Sequence, residues 1–492
     1  MRLLPILVAA TALAGCTVGP DFVHPQAPGT TAYLPAAEAR GASDRGPAID
    51  LGAGPGTRWW TAFGSPELNA LVERAMANNQ SLAASNATLA AARDELRAVT
   101  GRRSVQVDAN ARVDQEQVNL AGFGFSSNNP LAPGGNPEFH LYTVGGGISY
   151  DLDLFGGLRR QVEQNAAQAE SQQRQAEAAH LSVAGQVVNQ VLTVAALRAQ
   201  VATANALLAD DLRNVDLTQK RRRGGEGTLV EVLNAQSQYT ADRGDLPQLE
   251  QQLAEARHLL ATLVGVAPAD LGPSNFDLAR LTLPASIPVA LPSELVHRRP
   301  DILQAEADLH AAAAGVGVAT ARLYPDITLG ATLSQAGPGA GSLFKNAFRG
   351  YDIFAGLTAP IFHGGTLKAE RAAAIDRARA SQATYQQTVL EAFGQVADLL
   401  SAIQNDTRSV TTQAESVSVA DRSRRLSRRS FEVGNSGILQ VLETERLYQR
   451  SSNGLVVART RQFLNVARLY VATAGGWTGS PSDQPLQPAG GG

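Results

Sequence analysis

The chain has 492 residues, of which 44% are hydrophobic but only 5% aromatic, and its net charge is −3. Charge this evenly balanced excludes the basic footprint of a nucleic-acid-binding protein, and no nucleic-acid partner is expected. The apolar content is mostly Ala, Leu and Val beside abundant Gln and Arg, which suits long helices with small contact residues better than one large globular core.

The N-terminus comes first in chain order. Arg2 supplies a short positive start, and residues 3–14 form an apolar stretch of signal-peptide length, too short to cross a bilayer as a helix. It ends Leu13-Ala14-Gly15-Cys16, which resembles a bacterial lipobox. Residues 1–15 therefore read as a signal peptide and Cys16 as the acylated first residue of the mature chain. Cys16 is the single cysteine, so an intramolecular disulfide and a cysteine zinc site are both excluded. Thr17, standing where an aspartate would favour inner-membrane retention, points to the outer membrane. Each buried acyl methylene adds about 0.8 kcal/mol of membrane affinity. No later segment has 18 consecutive apolar residues, so any further membrane span is expected to be β-structure.

Residues 17–56 are rich in Gly, Pro, Ala and Thr without a period and read as an extended linker, within an N-terminal segment taken as 16–65. An internal repeat follows. Gly225-Glu226-Gly227-Thr228-Leu229-Val230-Glu231-Val232-Leu233 aligns without a gap on Gly434-Asn435-Ser436-Gly437-Ile438-Leu439-Gln440-Val441-Leu442, at an offset of 209. Phe155-Gly156-Gly157 similarly matches Phe362-His363-Gly364-Gly365. The chain thus divides into one copy at 66–266, a connecting segment at 267–299, a second copy at 300–477 and a Pro/Gly-rich tail at 478–492 expected to be disordered.

Each copy opens with a helix, at 66–100 and 300–322. Two strands follow, at 104–113 and 142–152 in the first copy and at 326–333 and 351–360 in the second. Alternation of Val105, Val107, Ala109, Ala111 and Val113, and of Ile327, Leu329, Ala331 and Leu333, marks the first strand of each pair as half-exposed. Loops at 119–140 and 335–349 join the strands. Then comes a long proline-free helical stretch, 157–222 or 365–432, of about 100 Å at 1.5 Å per residue. A glycine-rich turn, near 224–228 or 434–438, leads to a return helix, and Pro247 is expected to bend the first of these. Helices this long are usually coiled coils. Four strands cannot close a barrel, whose smallest membrane forms have about eight, and bare strand edges are not tolerated in lipid. Other copies of the chain must complete the sheet, and three copies would supply twelve strands.

These segments together resemble the TolC/OprM-like outer-membrane efflux factors, in the NodT-like lipoprotein branch that accompanies resistance-nodulation-division pumps. The resemblance rests on Cys16-Thr17-Val18-Gly19-Pro20-Asp21-Phe22, on Trp59-Trp60-Thr61-Ala62-Phe63-Gly64-Ser65-Pro66-Glu67-Leu68, and on Tyr150-Asp151-Leu152-Asp153-Leu154-Phe155-Gly156. Leu291-Pro292-Ser293-Glu294-Leu295, Arg298-Arg299-Pro300-Asp301-Ile302, Tyr324-Pro325 and Gly475-Gly476-Trp477 complete it. It implies a mostly α fold with membrane β-structure: a homotrimer whose 12-stranded outer-membrane β-barrel is continuous with a 12-helix periplasmic α-barrel, with a mixed equatorial belt of the terminal segments and 267–299. It implies a passive exit duct in a tripartite pump, with a periplasmic adaptor protein and an inner-membrane pump as partners, and no catalytic chemistry.

The resemblance also suggests sites. The turns would form the periplasmic tips, where Gly225, Gly227, Thr228, Leu229, Gly434, Gly437, Ile438 and Leu439 meet the adaptor; helix capping is the competing reading of the glycines. Family members often carry aspartates at the positions of Gln440 and Glu443, whose first-copy counterparts are Glu231 and Asn234; these four are the gate candidates, and ordinary solvated charge is the alternative. Gln440 is neutral, and Ser436 stands where the family latch is often basic, so the latch does not carry over intact. Lys220-Arg221-Arg222-Arg223 precedes the first tip, and Arg422, Arg424, Arg425, Arg428 and Arg429 precede the second; they either complement helix C-termini or meet acidic adaptor groups. The seven histidines, among them His297 and His310, have no metal spacing, and no metal or cofactor is expected. Asp151 and Asp153 are expected to face water at a strand end, Gly145-Gly146-Gly147 to lie within a strand rather than a phosphate loop, and Trp59, Trp60 and Trp477 to anchor a core. Two rivals stand beside the duct: a structural trimeric coiled-coil lipoprotein, which has no need of a duplicated strand pair, and an envelope enzyme, for which no acid–base constellation exists.

Overall fold

The computed structural model describes residues 17–35, 47–117, 138–273 and 275–473. The expected signal peptide, Cys16, most of the 119–140 loop, Trp477 and the tail lie outside the described residues. The fold is mostly helical. In chain order, β1 is Ala48–Leu51, α1 and α2 are Pro66–Asn78 and Gln80–Gly101, β2 and β3 are Gln106–Gln117 and Glu138–Asp151, and α3 and α4 are Gly157–Arg223 and Leu229–Val264. Then come β4 (Ser286–Val289), α5 (Pro300–Ala321), β5 (Asp326–Gly337), β6 (Arg349–Thr358), α6 (Thr366–Glu432) and α7 (Ile438–Thr473). α3 and α6 each have 67 residues, and α4 and α7 each have 36. Pro247 lies inside α4, which continues unbroken past it. Two compact units divide the chain: one contains Met1–His24, Ala90–Glu170 and Glu306–Ala383, the other Pro25–Leu89, Ser171–Ala305 and Thr384–Gly492.

The first unit contains a four-stranded antiparallel sheet in the order β2-β3-β5-β6. Its register aligns the apolar positions of all four strands. Val107 pairs with Ile148, Val113 with Tyr142, Ile148 with Ala331, Ile327 with Leu357 and Leu333 with Tyr351. Alternation puts these side chains on one face, and Asp108, Arg112, Thr332 and Asp352 on the other. The apolar face is open: Val107 is 73% exposed and Ile353 77%. Three strands are longer than the alternation suggests. β2 continues to Gln117 because Asp114 through Gln117 keep their backbone pairing with Leu141 through Glu138, which polar side chains do not interrupt. β6 begins at Arg349 and stops at Thr358, short of Pro360, which has no N–H to give a ladder.

A strap, residues 17–24, is fastened in the same unit. The Val18 N–H donates to the Phe155 carbonyl at 3.1 Å. The Arg160 guanidinium, its side chain 5% exposed, donates to the Val18 carbonyl (3.3 Å), Asp21 (2.6 Å) and Glu163 (2.7 Å). Phe22 stacks on His310 with centroids 4.3 Å apart, and His310 in turn contacts Glu163 at 3.0 Å. Gly19, at φ +100°, lies against Gly317 so closely that a Cβ there would stand 2.5 Å from the Gly317 Cα. Asp151 and Asp153 do not simply face water, as the sequence suggests. Asp153 accepts from the Leu158 and Arg159 N–H groups at 2.8 and 2.9 Å, and Asp151 accepts from the Asp153 N–H at 3.0 Å. Asp153 thus caps α3, whose first N–H groups need acceptors, and Asp151 holds the Asp153 backbone in place.

In the second unit, Trp59, Trp60, Phe63, Leu68 and Val72 pack with Leu260, Ile287, Leu295, Ile302, Val466 and Tyr470; Trp59 stacks on Tyr470 at 5.6 Å. The expected helix at 66–100 is two helices. Asn79 breaks it: its side chain accepts from the Ser81 N–H at 2.9 Å, beginning a new helix, and donates to the Leu263 carbonyl at 2.7 Å. β1 and β4 form a parallel pair inside segments expected to be linkers; four-residue strands, one holding Pro288, carry too little periodicity to be read. By length and composition α3 contains a stretch apolar enough to cross a membrane, although it has no run of 18 consecutive apolar residues. Val183, Val187, Val188, Val191 and Leu192 of α3 are buried in the helical core, which accounts for apolar residues there.

Replacing Arg160 by Ala removes the strap's charged fastening at a cost of about 1–3 kcal/mol. Chymotryptic cleavage at Phe22 should then accelerate severalfold; an unchanged rate would show that other contacts hold the strap.

Candidate functional site at the helix-hairpin turns

Both hairpin turns are built alike at their first residues. In the first, the N–H groups of Gly225 and Glu226 donate to the Arg222 and Arg221 carbonyls at 3.1 and 2.9 Å; in the second, Gly434 and Asn435 donate to Phe431 and Ser430 at 3.1 and 2.9 Å. Gly225 and Gly434 have φ of +78° and +79°, the left-handed conformation that ends a helix and that glycine adopts without a steric cost. The turns then diverge. Thr228 accepts from the Glu231 N–H at 3.3 Å while Glu231 accepts from the Thr228 N–H at 2.9 Å, a reciprocal cap on α4. Gly437 and Gln440 occupy the corresponding positions of the second turn and cannot reproduce that pair.

The predicted gate and tip residues are placed unevenly. Glu231 is committed to its cap, and Asn234 is half-buried nearby. Gln440 and Glu443 are exposed along one face of α7. Leu229 and Leu439 are 49% and 64% exposed, with Val230 and Leu233 beside them. Ile438 corrects the sequence reading: expected on the contact surface, it is 1% exposed and packs with Phe431, Val441, Leu442 and Leu217. It occupies the inward-facing position of the first turn of α7. The Ser436 hydroxyl is buried without a hydrogen-bond partner.

The basic clusters are not merely helix-end charges. Arg221 donates to the Phe431 carbonyl at 3.0 Å with its guanidinium 4.6 Å from the Phe431 ring, joining the two hairpins. Arg424 pairs with Asp210 at 2.9 Å and lies 4.5 Å over Tyr448. Arg428 reaches Asp210 at 3.4 Å and also pairs with Glu445, which accepts from Asn214 at 2.5 Å. Arg446 donates to Gln238. Lys220, by contrast, pairs within its own helix with Asp216 at 2.6 Å. A cleft of about 280 Å³ opens beside the network, lined by Thr203, Asp210, Arg424, Glu445, Tyr448 and Ser452. Burial pushes the Glu445 carboxyl up, against the pull of Arg428. Asp211, 1% exposed, is pushed up to about 8 by burial, by its hydrogen bond to Asp242 and by the charges of Asp242, Glu445 and Asp210. Asp210, Asp211, Asp242 and Glu445 were not legible as site residues, because each meets partners on helices distant in sequence.

Among the described residues, no group of three His, Cys, Asp or Glu side chains could hold a metal ion. The profile of the outer membrane efflux protein family matches residues 71–266 and 291–475. The chain is 32% identical over 482 residues to the pyoverdine export outer membrane protein OpmQ of Pseudomonas aeruginosa, covering 97% of each chain. It is 28% identical over 488 residues to the probable efflux pump outer membrane protein TtgC of Pseudomonas putida, covering 98% of each. The solved structure of the outer-membrane channel OprN superposes with a TM-score of 0.82 at 27% identity, covering 94% of this chain and 100% of that one.

Asp211 makes the packed hairpins pH-sensitive in a definite direction. When the helices part, its carboxyl returns to about 3.8; when packed it titrates near 8, so packing is most favoured below the lower value and weakens as pH rises between them. Protease nicking of the hairpins should therefore increase severalfold from about pH 6 to about pH 9. Asp211→Asn should flatten that rise, and an identical pH profile in the variant would refute it. Arg428→Ala strands Glu445 and should loosen the same packing by about 3 kcal/mol, read as faster nicking at every pH.

Proposed function

The chain belongs to the outer membrane efflux protein family, and from that membership we propose that it is the exit duct of a tripartite export system, passing small molecules from an inner-membrane pump and a periplasmic adaptor to the exterior. Its relatives are efflux channel proteins rather than enzymes, and their place is the outer membrane. The finer reading is a homotrimer in which three four-stranded sheets close one twelve-stranded barrel and the helical hairpins line a periplasmic α-barrel, with Cys16 as lipid anchor.

One observation carries this reading: an apolar face registered across all four strands of a sheet whose outer strands, β2 and β6, each pair on one side only among the described residues. Such a face suits lipid, and such edges need partners there. Tyr142 and Tyr351 near the loop end of that face and Tyr150 near the helix end suit the two interfaces of a bilayer. Structural stalks have no use for this face. The relatives are named for pyoverdine, toluene and cation export, so the shared architecture supports conduction of varied cargo by a passive duct.

Gating falls to the hairpin turns. In this reading Gln440 and Glu443, with Asn234 and Glu231 behind them, border the narrowest aperture, and the Asp210–Arg424–Arg428–Glu445 network holds each chain's hairpins together while the duct is shut. Opening is an iris-like parting of these helices. Exposed Leu229, Val230 and Leu439, beside Gly225, Gly227, Thr228, Gly434 and Gly437, form the apolar surface offered to the adaptor.

Purified protein in planar bilayers should give discrete openings of low conductance, and Arg428→Ala should raise that conductance severalfold by loosening the network. Glu443→Gln should lower cation preference without changing assembly. A protein that inserts yet never conducts would exclude the duct and leave the structural stalk.

A further inference from the structure

The polar face of the four-stranded sheet carries the large aromatic side chain of Phe354 on β6, with Gly330 opposite it and Asp352 and Gly356 as its neighbours along the strand. Phe354 pairs in register with Gly330, and its ring covers that glycine so closely that a Cβ at 330 would run into ring atoms Cζ, Cε1 and Cε2. The backbone glycine is therefore a seat for the ring, and 43% of the Phe354 surface stays open. A ring serving only to fill space would be expected on the apolar face, where Ile353, Ala355 and Leu357 already point.

The surroundings are strongly anionic. By register, the same face carries Asp108, Asp114, Glu116, Asp151, Asp326 and Asp352, and among the described strand residues Arg112 is its only cation. Arg112 is paired with Asp114 at 2.6 Å. Asp352 stands two residues from Phe354 on the same strand and the same face, about 7 Å away along the pleat. An aromatic face beside a carboxylate is the arrangement that recognises an organic cation, by ring quadrupole and by charge together. A small inorganic cation gains only the charge, and an organic anion is repelled.

We propose that Phe354, with Asp352, is a transit contact for aromatic or quaternary organic cations on the luminal wall of the barrel. This rests on the reading of the chain as a duct whose polar sheet face lines the lumen, where three copies would present three such rings at one height.

The test is single-channel block by tetraphenylphosphonium, with tetraphenylborate as the probe of equal shape and opposite charge, each added to the loop side of the barrel. Wild-type channels should show blocked intervals with the cation and none with the anion. Phe354→Leu keeps an apolar cover over Gly330 and should leave the unblocked conductance unchanged, while shortening cation block about fivefold, the size of one partly exposed cation–π contact. Phe354→Tyr should restore the block, and Asp352→Asn should halve its frequency. Equal block of wild type and Phe354→Leu, or equal block by both probes, overturns this inference while the duct stands. Wild-type protein that gives no openings overturns the duct reading itself. Should Phe354→Leu fail to form channels, the comparison passes to Phe354→Ile and Phe354→Met, which hold the same cover with no aromatic face; wild-type dwell times in both would equally refute the contact.

Discussion

Hydrocarbon offers no hydrogen bonds, and in the proposed duct this constraint organises the first unit. Every N–H and C=O of a strand in lipid must find a partner within protein, since each one left bare costs several kcal/mol. β3 and β5 satisfy this from both sides, whereas β2 and β6 do so from one side in a single chain. The apolar face would be a liability on a soluble protein, yet its register is consistent over all four strands. A slip of one residue would turn that face inward, so the pairing and the environment specify each other. The proposed trimer follows from the same requirement applied to the two outer strands.

The second unit solves a different problem. Helices of 67 and 36 residues cannot be held by one compact core. The aromatic cluster around Trp59, Trp60 and Tyr470 secures one region, and the Phe431–Ile438–Val441–Leu442 cluster another. Beside the latter, buried charges replace apolar side chains. Removing water from Asp210, Asp211 and Glu445 is costly unless cations or protons compensate. Arg424 and Arg428 supply the first, and Asp211, hydrogen-bonded to Asp242, takes up the second. Contacts of this kind are sensitive to solvent and proton access in a way that a leucine seam is not, which suits the parting proposed for these helices.

Much of the fold can be read from the residues in order. Proline-free stretches announced α3 and α6, alternating Val, Ala and Leu announced β2 and β5, and the repeated glycine turns announced both hairpins, because each of these signals is local. The break at Asn79 was hidden by its polar side chain, which serves equally in a helix or at a cap. β1 and β4 were hidden by their brevity. At the candidate site, the arginines before the second turn were conspicuous, but Asp210, lying more than 200 residues earlier, gives no sign of them. Glu231 and Ile438 show the opposite failure. Alignment of the two turns made them look equivalent to their counterparts, whereas one spends its carboxylate on a cap and the other turns its side chain inward.

The half-paired strands also bear on inheritance. In the proposed trimer, every β6 must meet the β2 of a neighbouring chain, so the barrel has no spare position for a defective subunit. A cell making equal amounts of intact chain and of a variant with a spoiled edge would assemble only roughly one wholly intact trimer in eight. Edge lesions in β2 or β6 would therefore behave as dominant alleles, whereas lesions that prevent folding before assembly would be recessive.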